Sequence, residues 1–90
     1  MEVSHYVYLT IKLNKDEIGY IKIDLYESIV PKTVMNFLTI CKGVKFSQKN
    51  EDLLMSYTNV RIHKVRPGHL LETGDFLYHS GYGHESIYGP

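Results

Sequence analysis

The sequence predicts a mainly β fold with one or two helices, in which about four strands and one helix can be placed. Three observations carry this. Two runs near the N-terminus alternate apolar and polar residues with period two, a single stretch beginning at Pro31 carries an apolar stripe at helical spacing, and a Pro-Gly turn at 67–68 separates two short β-rich runs.

The first strand is read from Val7, Leu9, Ile11 and Leu13, which alternate with Tyr8, Thr10 and Lys12. A polar turn over Asn14-Lys15-Asp16-Glu17 leads to Gly19, and Ile21, Ile23 and Leu25 then alternate with Tyr20, Lys22, Asp24 and Tyr26. The two runs form an antiparallel hairpin with one apolar face. Tyr6, Tyr8, Tyr20 and Tyr26 fall on the other face. Tyrosines so placed suit either a surface covered by a partner or packing under further elements.

Pro31 fits the first turn of a helix, where its missing N–H costs nothing. Val34, Phe37, Leu38 and Cys41 follow at i, i+3, i+4 and i+7, and Gly43 stands where a helix C-terminus takes a left-handed residue. Cys41 reads as core filler, since neither a base nor a resolving cysteine is in view. From Val44 the pattern weakens, and 45–52 reads as a polar surface loop. Two short strands, about Val60 to Val65 and His69 to Glu72, flank the turn at Arg66-Pro67-Gly68. The glycine-punctuated segment 80–84 is expected to be irregular.

Composition narrows the function. Residues 1–90 suit one small domain, and a chain this short buries only about 60–65% of its unfolded surface, so its stability margin is thin. Ten basic and ten acidic residues cancel, which leaves no net field to draw in nucleic acid or an anionic membrane. No signal-peptide pattern or bilayer-spanning apolar run is legible, and one cysteine points to a reducing compartment such as the cytosol. Gly81-Tyr82-Gly83 lacks the third glycine and the following helix of a dinucleotide loop. The five histidines show no zinc-ligand spacing, so no metal or cofactor is expected.

The motifs Gly19-Tyr20-Ile21-Lys22-Ile23-Asp24-Leu25-Tyr26, Val30-Pro31-Lys32-Thr33, Asn36-Phe37, Pro67-Gly68, Gly74-Asp75-Phe76 and Ser86-Ile87-Tyr88-Gly89 together resemble the first half of a cyclophilin, the peptidyl-prolyl cis-trans isomerase family. The resemblance runs over roughly positions 7 to 90. It implies a β-barrel closed by a helix at each end, of which this chain carries about half, as a partial domain with open edges that pair with other chains.

It also implies a chemistry. Amide resonance sets a barrier of about 18–20 kcal/mol to rotation about an X–Pro bond. In cyclophilins an arginine hydrogen-bonds the prolyl nitrogen in the twisted state, and an apolar pocket holds the ring. Carried over by position, Lys64 stands at the arginine's place after Ile62-His63, His69 where the family has a pocket phenylalanine, Leu70 where it has a methionine, and Glu72 where it has a glutamine that braces the arginine. Lysine offers a flexible point charge instead of a planar fork. The resemblance therefore implies Lys64 as a doubtful catalytic residue and His63, His69, Leu70 and Glu72 as degraded substrate-binding positions. Glu72 is expected to pair with Lys64.

Two functions follow from this. One is a non-catalytic, pseudoenzyme-like module that binds a protein partner or serves in a larger assembly; the other is a slow isomerase working through Lys64. No small-molecule ligand is indicated. The 46–48 segment and the Gly83–Pro90 ending further resemble the isomerase-like branch with links to cilia, which implies a cytoplasmic, ciliary or cytoskeletal setting.

Overall fold

A computed structural model of the chain describes residues 2–48 and 51–89. Its elements are β1 (His5–Leu13), β2 (Asp16–Leu25), α1 (Pro31–Lys42), β3 (Val44–Gln48), β4 (Glu51–Met55), β5 (Lys64–Arg66) and β6 (Leu70–Glu72). The strands pair as three antiparallel hairpins, and no closed barrel forms among the described residues. The fold is thus mostly β with one helix, as part of a cyclophilin fold would be. Six strands stand where about four were expected.

The two additional strands, β3 and β4, cover most of 45–52, the stretch read as a loop, and extend past it to Val44 and Met55. The register sets Val44 opposite Met55 and Phe46 opposite Leu53. Apolar residues too sparse to mark either run alone therefore fall at matching positions of both. Lys49 and Asn50, also part of that expected loop, lie outside the described residues.

The chain divides into two compact units, 1–35 and 36–90. In the first, β1 and β2 pair from His5↔Leu25 to Leu13↔Asp16, with one register shift between Ile11 and Lys12 that leaves Ile18 as the extra residue. The loop is only Asn14-Lys15, and Asn14 takes a positive φ of 60°, the pattern of a type II′ hairpin turn. Ser4 anchors the open end: its hydroxyl donates to the Leu25 carbonyl at 3.1 Å and accepts from the Glu27 N–H at 3.0 Å. Val7, Leu9, Ile11 and Ile23 are half-buried and Leu25 is buried while Tyr6, Tyr8 and Tyr20 are exposed, so the expected two-faced hairpin is present in part; Leu13 and Ile21, expected on the apolar face, are exposed. The three tyrosines meet edge to face, at ring-centroid distances of 5.6 and 5.3 Å. Tyr26 departs from them and is half-buried.

In the second unit the core forms on Ile40 and Met55, both essentially inaccessible. Ile40 lies outside the predicted stripe, of which Phe37, Leu38 and Cys41 are only half-buried. The reason is local. The chain leaving β4 crosses the end of α1, where the Tyr57 N–H donates to the Ile40 carbonyl at 3.3 Å and the Tyr57 ring packs 5.5 Å from Phe37. That crossing covers the Ile40 side of the helix. Gly43 ends α1 with φ 86°, its N–H bonded to the Thr39 carbonyl. Burial pushes the Cys41 thiol above its ordinary pKa, which suits packing and not nucleophilic chemistry.

Candidate functional site

The five expected site residues gather on one small hairpin. β5 and β6 pair as Lys64↔Glu72, Val65↔Leu71 and Arg66↔Leu70. The turn between them closes through the His69 N–H to the Arg66 carbonyl at 2.9 Å, and Gly68 supplies the positive φ that a type II turn needs after proline. Both strands are shorter than the sequence suggested, with 60–63 outside β5. Even so, the His63 N–H continues the ladder by one bond to the Glu72 carbonyl, at 3.1 Å.

The Glu72 carboxylate lies beside the imidazole, with His63 Nε2 3.7 Å from Glu72 Oε2. Lys64 was the expected partner and faces Glu72 in the register, yet among the described residues no ion pair joins them. Register opposition fixes Cα positions and not where side-chain ends meet, and the half-buried Lys64 forms no ion pair with Glu72. His63 is the enclosed member, its side chain 12% exposed and its Nδ1 buried without a hydrogen-bond partner among the described residues. A Cβ built on Gly81 would stand 2.9 Å from His63 Nε2, so the loop beyond Asp75 passes against this imidazole.

The remaining positions are open. His69, Leu70 and Glu72 are exposed, and Lys64 is half-buried. None of the five lines the cavity of about 100 Å³ formed by Tyr57, Asp75, Phe76, Leu77 and 83–85. What the hairpin presents is shallow: Lys64, Arg66, Leu70 and Glu72 on one face, Val65 and Leu71 on the other.

Next to it stands a feature the sequence reading passed over as scaffold. Asp75 is 7% exposed, and its carboxylate accepts five backbone N–H groups. Leu77 and Tyr78 donate to Oδ1 at 3.1 and 3.0 Å; Ser80, Gly81 and Gly83 donate to Oδ2 at 3.1, 2.8 and 3.0 Å. These bonds, the Tyr78 N–H foremost, hold the carboxyl well below the usual carboxylate range against the opposing effect of desolvation. The signal was present: an aspartate before a glycine-punctuated run offers acceptors to a chain that must turn repeatedly. A second tie is long in sequence. Asn36 Oδ1 accepts the Ile87 N–H at 2.9 Å, binding the Ser86–Gly89 turn to α1.

Among the described residues no helix is long and apolar enough to cross a membrane, and no group of three or more potential metal ligands occurs.

Comparison with known proteins places this geometry in context. Residues 8–90 match the family described as cyclophilin type peptidyl-prolyl cis-trans isomerase/CLD. Among curated relatives, a peptidyl-prolyl cis-trans isomerase of Encephalitozoon cuniculi is 35% identical over 98% of this chain and 46% of its own length. The isomerase cyp11 of Rhizopus delemar is 36% identical over 92% of this chain and 25% of its own. The NK-tumor recognition protein of Mus musculus is 37% identical over 88% of this chain and 5% of its own. The chain thus spans at most about half the length of these relatives. No solved structure matches it.

Proposed function

The chain belongs to the cyclophilin-type peptidyl-prolyl cis-trans isomerase family, and from that premise we propose that residues 1–90 act as one partial cyclophilin-like domain that binds protein and is degenerate as an isomerase. The observation that carries the reading is the state of the site positions. Lys64 replaces a planar guanidinium by a flexible ammonium, and His69 and Leu70, which would have to hold a proline ring, stand exposed on an open hairpin. The exposed, stacked tyrosines of β1 and β2 add a second surface of the kind partners cover. Cys41 and the resemblance of 46–48 and 83–90 support a cytoplasmic setting in a ciliary or cytoskeletal assembly.

A second reading keeps a slow isomerase working through Lys64. One observation favours it: Glu72 is drawn to His63, which leaves the Lys64 ammonium unsequestered among the described residues. A protease-coupled assay on a prolyl peptide separates the two. The binding reading expects no acceleration; an enhancement on the order of several kcal/mol off the barrier, abolished by Lys64→Gln, would establish the enzyme instead.

A further inference from the structure

The chain as a whole is neutral, but its charge is not evenly spread. Residues 61–72 hold Arg61, Lys64 and Arg66 against a single carboxylate, Glu72, with His63 and His69 beside them. Among the described residues no ion pair joins any of the three cations to a carboxylate, whereas Lys22 on the N-terminal hairpin lies 3.8 Å from Asp24 and over the Tyr6 ring. The one local carboxylate faces His63. A hairpin with unneutralised cations, two short strands and outer edges that carry no further strand is built to receive an extended anionic segment.

The spacing specifies the segment further. Lys64 and Arg66 are two apart on β5 and share a face with Leu70 and Glu72, placing the two cations about 7 Å apart along the strand. An extended peptide repeats its side chains at the same period. Carboxylates at alternate residues would therefore meet both cations in register, and the residue between them would turn away. Val65, 63% exposed between the two cations, offers apolar contact on the other face. Nucleic acid suits the patch less well, because the cations are few, a carboxylate sits beside them, and the net charge of the chain gives no attraction at a distance.

We infer that the β5–β6 hairpin docks an extended acidic peptide segment with carboxylates at alternate positions, held by Lys64 and Arg66. This rests on the protein-binding reading above and names the chemistry of the partner. The test is fluorescence anisotropy of the ninety-residue chain with a short rhodamine-labelled peptide alternating glutamate and valine, its glutamine-for-glutamate analogue, and a single-stranded oligonucleotide of equal charge. The expected result is binding of the acidic peptide that weakens with added salt and falls about tenfold in the Lys64→Gln/Arg66→Gln variant. A Lys12→Gln/Lys15→Gln control, which removes the same charge elsewhere, should change it about twofold or less. Equal affinity for the glutamine peptide, an unaffected hairpin variant, tighter binding of the oligonucleotide, or no binding of the acidic peptide would each overturn the inference. Isomerase activity in the prolyl assay would defeat the underlying reading without altering these affinities, so the two failures are told apart.

Discussion

The hairpin at 64–72 and the loop at 75–83 are neighbours in sequence and both short, yet they are held in opposite ways. The loop converges on one buried carboxylate through five backbone bonds. The hairpin is tied by its short ladder and one turn, and most of its side chains face water. The contrast teaches where this chain tolerates change. In the loop five N–H groups share the Asp75 carboxylate, so a change at that one side chain is felt by the whole segment. On the hairpin His69, Leu70 and Glu72 are exposed, so a new side chain there meets little resistance.

The largest effect should come from removing the hub. In Asp75→Ala the five N–H groups lose their acceptor together, and amide exchange at Leu77, Tyr78, Ser80, Gly81 and Gly83 is expected to become fast along with a marked fall in melting temperature. Retained protection at those amides would show that the loop is held by something other than the carboxylate. The same bonds give a pH dependence. Since the folded carboxyl titrates below its unfolded value of about 3.9, its contribution is complete above that value and is lost as pH falls toward the folded one. Asp75→Asn should flatten this acid limb of the stability curve.

A smaller but still clear effect is expected at Gly83. Its added Cβ would collide with Asp75 Oδ1 and approach Leu77 Cβ at 3.0 Å, so Gly83→Ala should displace the loop and lower the melting temperature. Gly68→Ala makes a useful contrast: nothing lies within 4 Å of a Cβ there, so only the positive φ of 74° is strained, at roughly 1 kcal/mol. Equal losses at the two glycines would erase the distinction between loop and hairpin.

The smallest effect concerns Glu72. A double-mutant cycle between His63 and Glu72 should show weak coupling, with none between Lys64 and Glu72, because Glu72 is exposed and the contact is 3.7 Å long. Coupling confined to Lys64 and Glu72 would reverse the assignment.

Much of this was legible in the sequence, for reasons that also explain what was not. The first hairpin was plain because alternation covers most of both strands, though Asp16 and Glu17, read as turn, belong to β2, where the shift at Ile18 breaks the pattern. The β3–β4 hairpin was hidden because its pattern exists only across the pair, in Val44↔Met55 and Phe46↔Leu53. The helix could be placed from Pro31 and Gly43, but the dominant burial of Ile40 depends on Tyr57, which lies far along the chain. At the candidate site, the family resemblance named five positions, and the structure brings them together on one hairpin. It could not say that His63, one residue from Lys64, would take Glu72. That contact depends on side-chain placement, which register alone does not fix.

Exchange spectroscopy on a labelled X–Pro peptide tests the central claim most directly, because one experiment reports binding as a shift of resonances and catalysis as cis–trans cross-peaks. The account predicts that the ninety-residue chain leaves the exchange at its uncatalysed rate, tens to hundreds of seconds at room temperature, whether or not resonances move. Cross-peaks that grow with added protein and vanish in Lys64→Gln would contradict it.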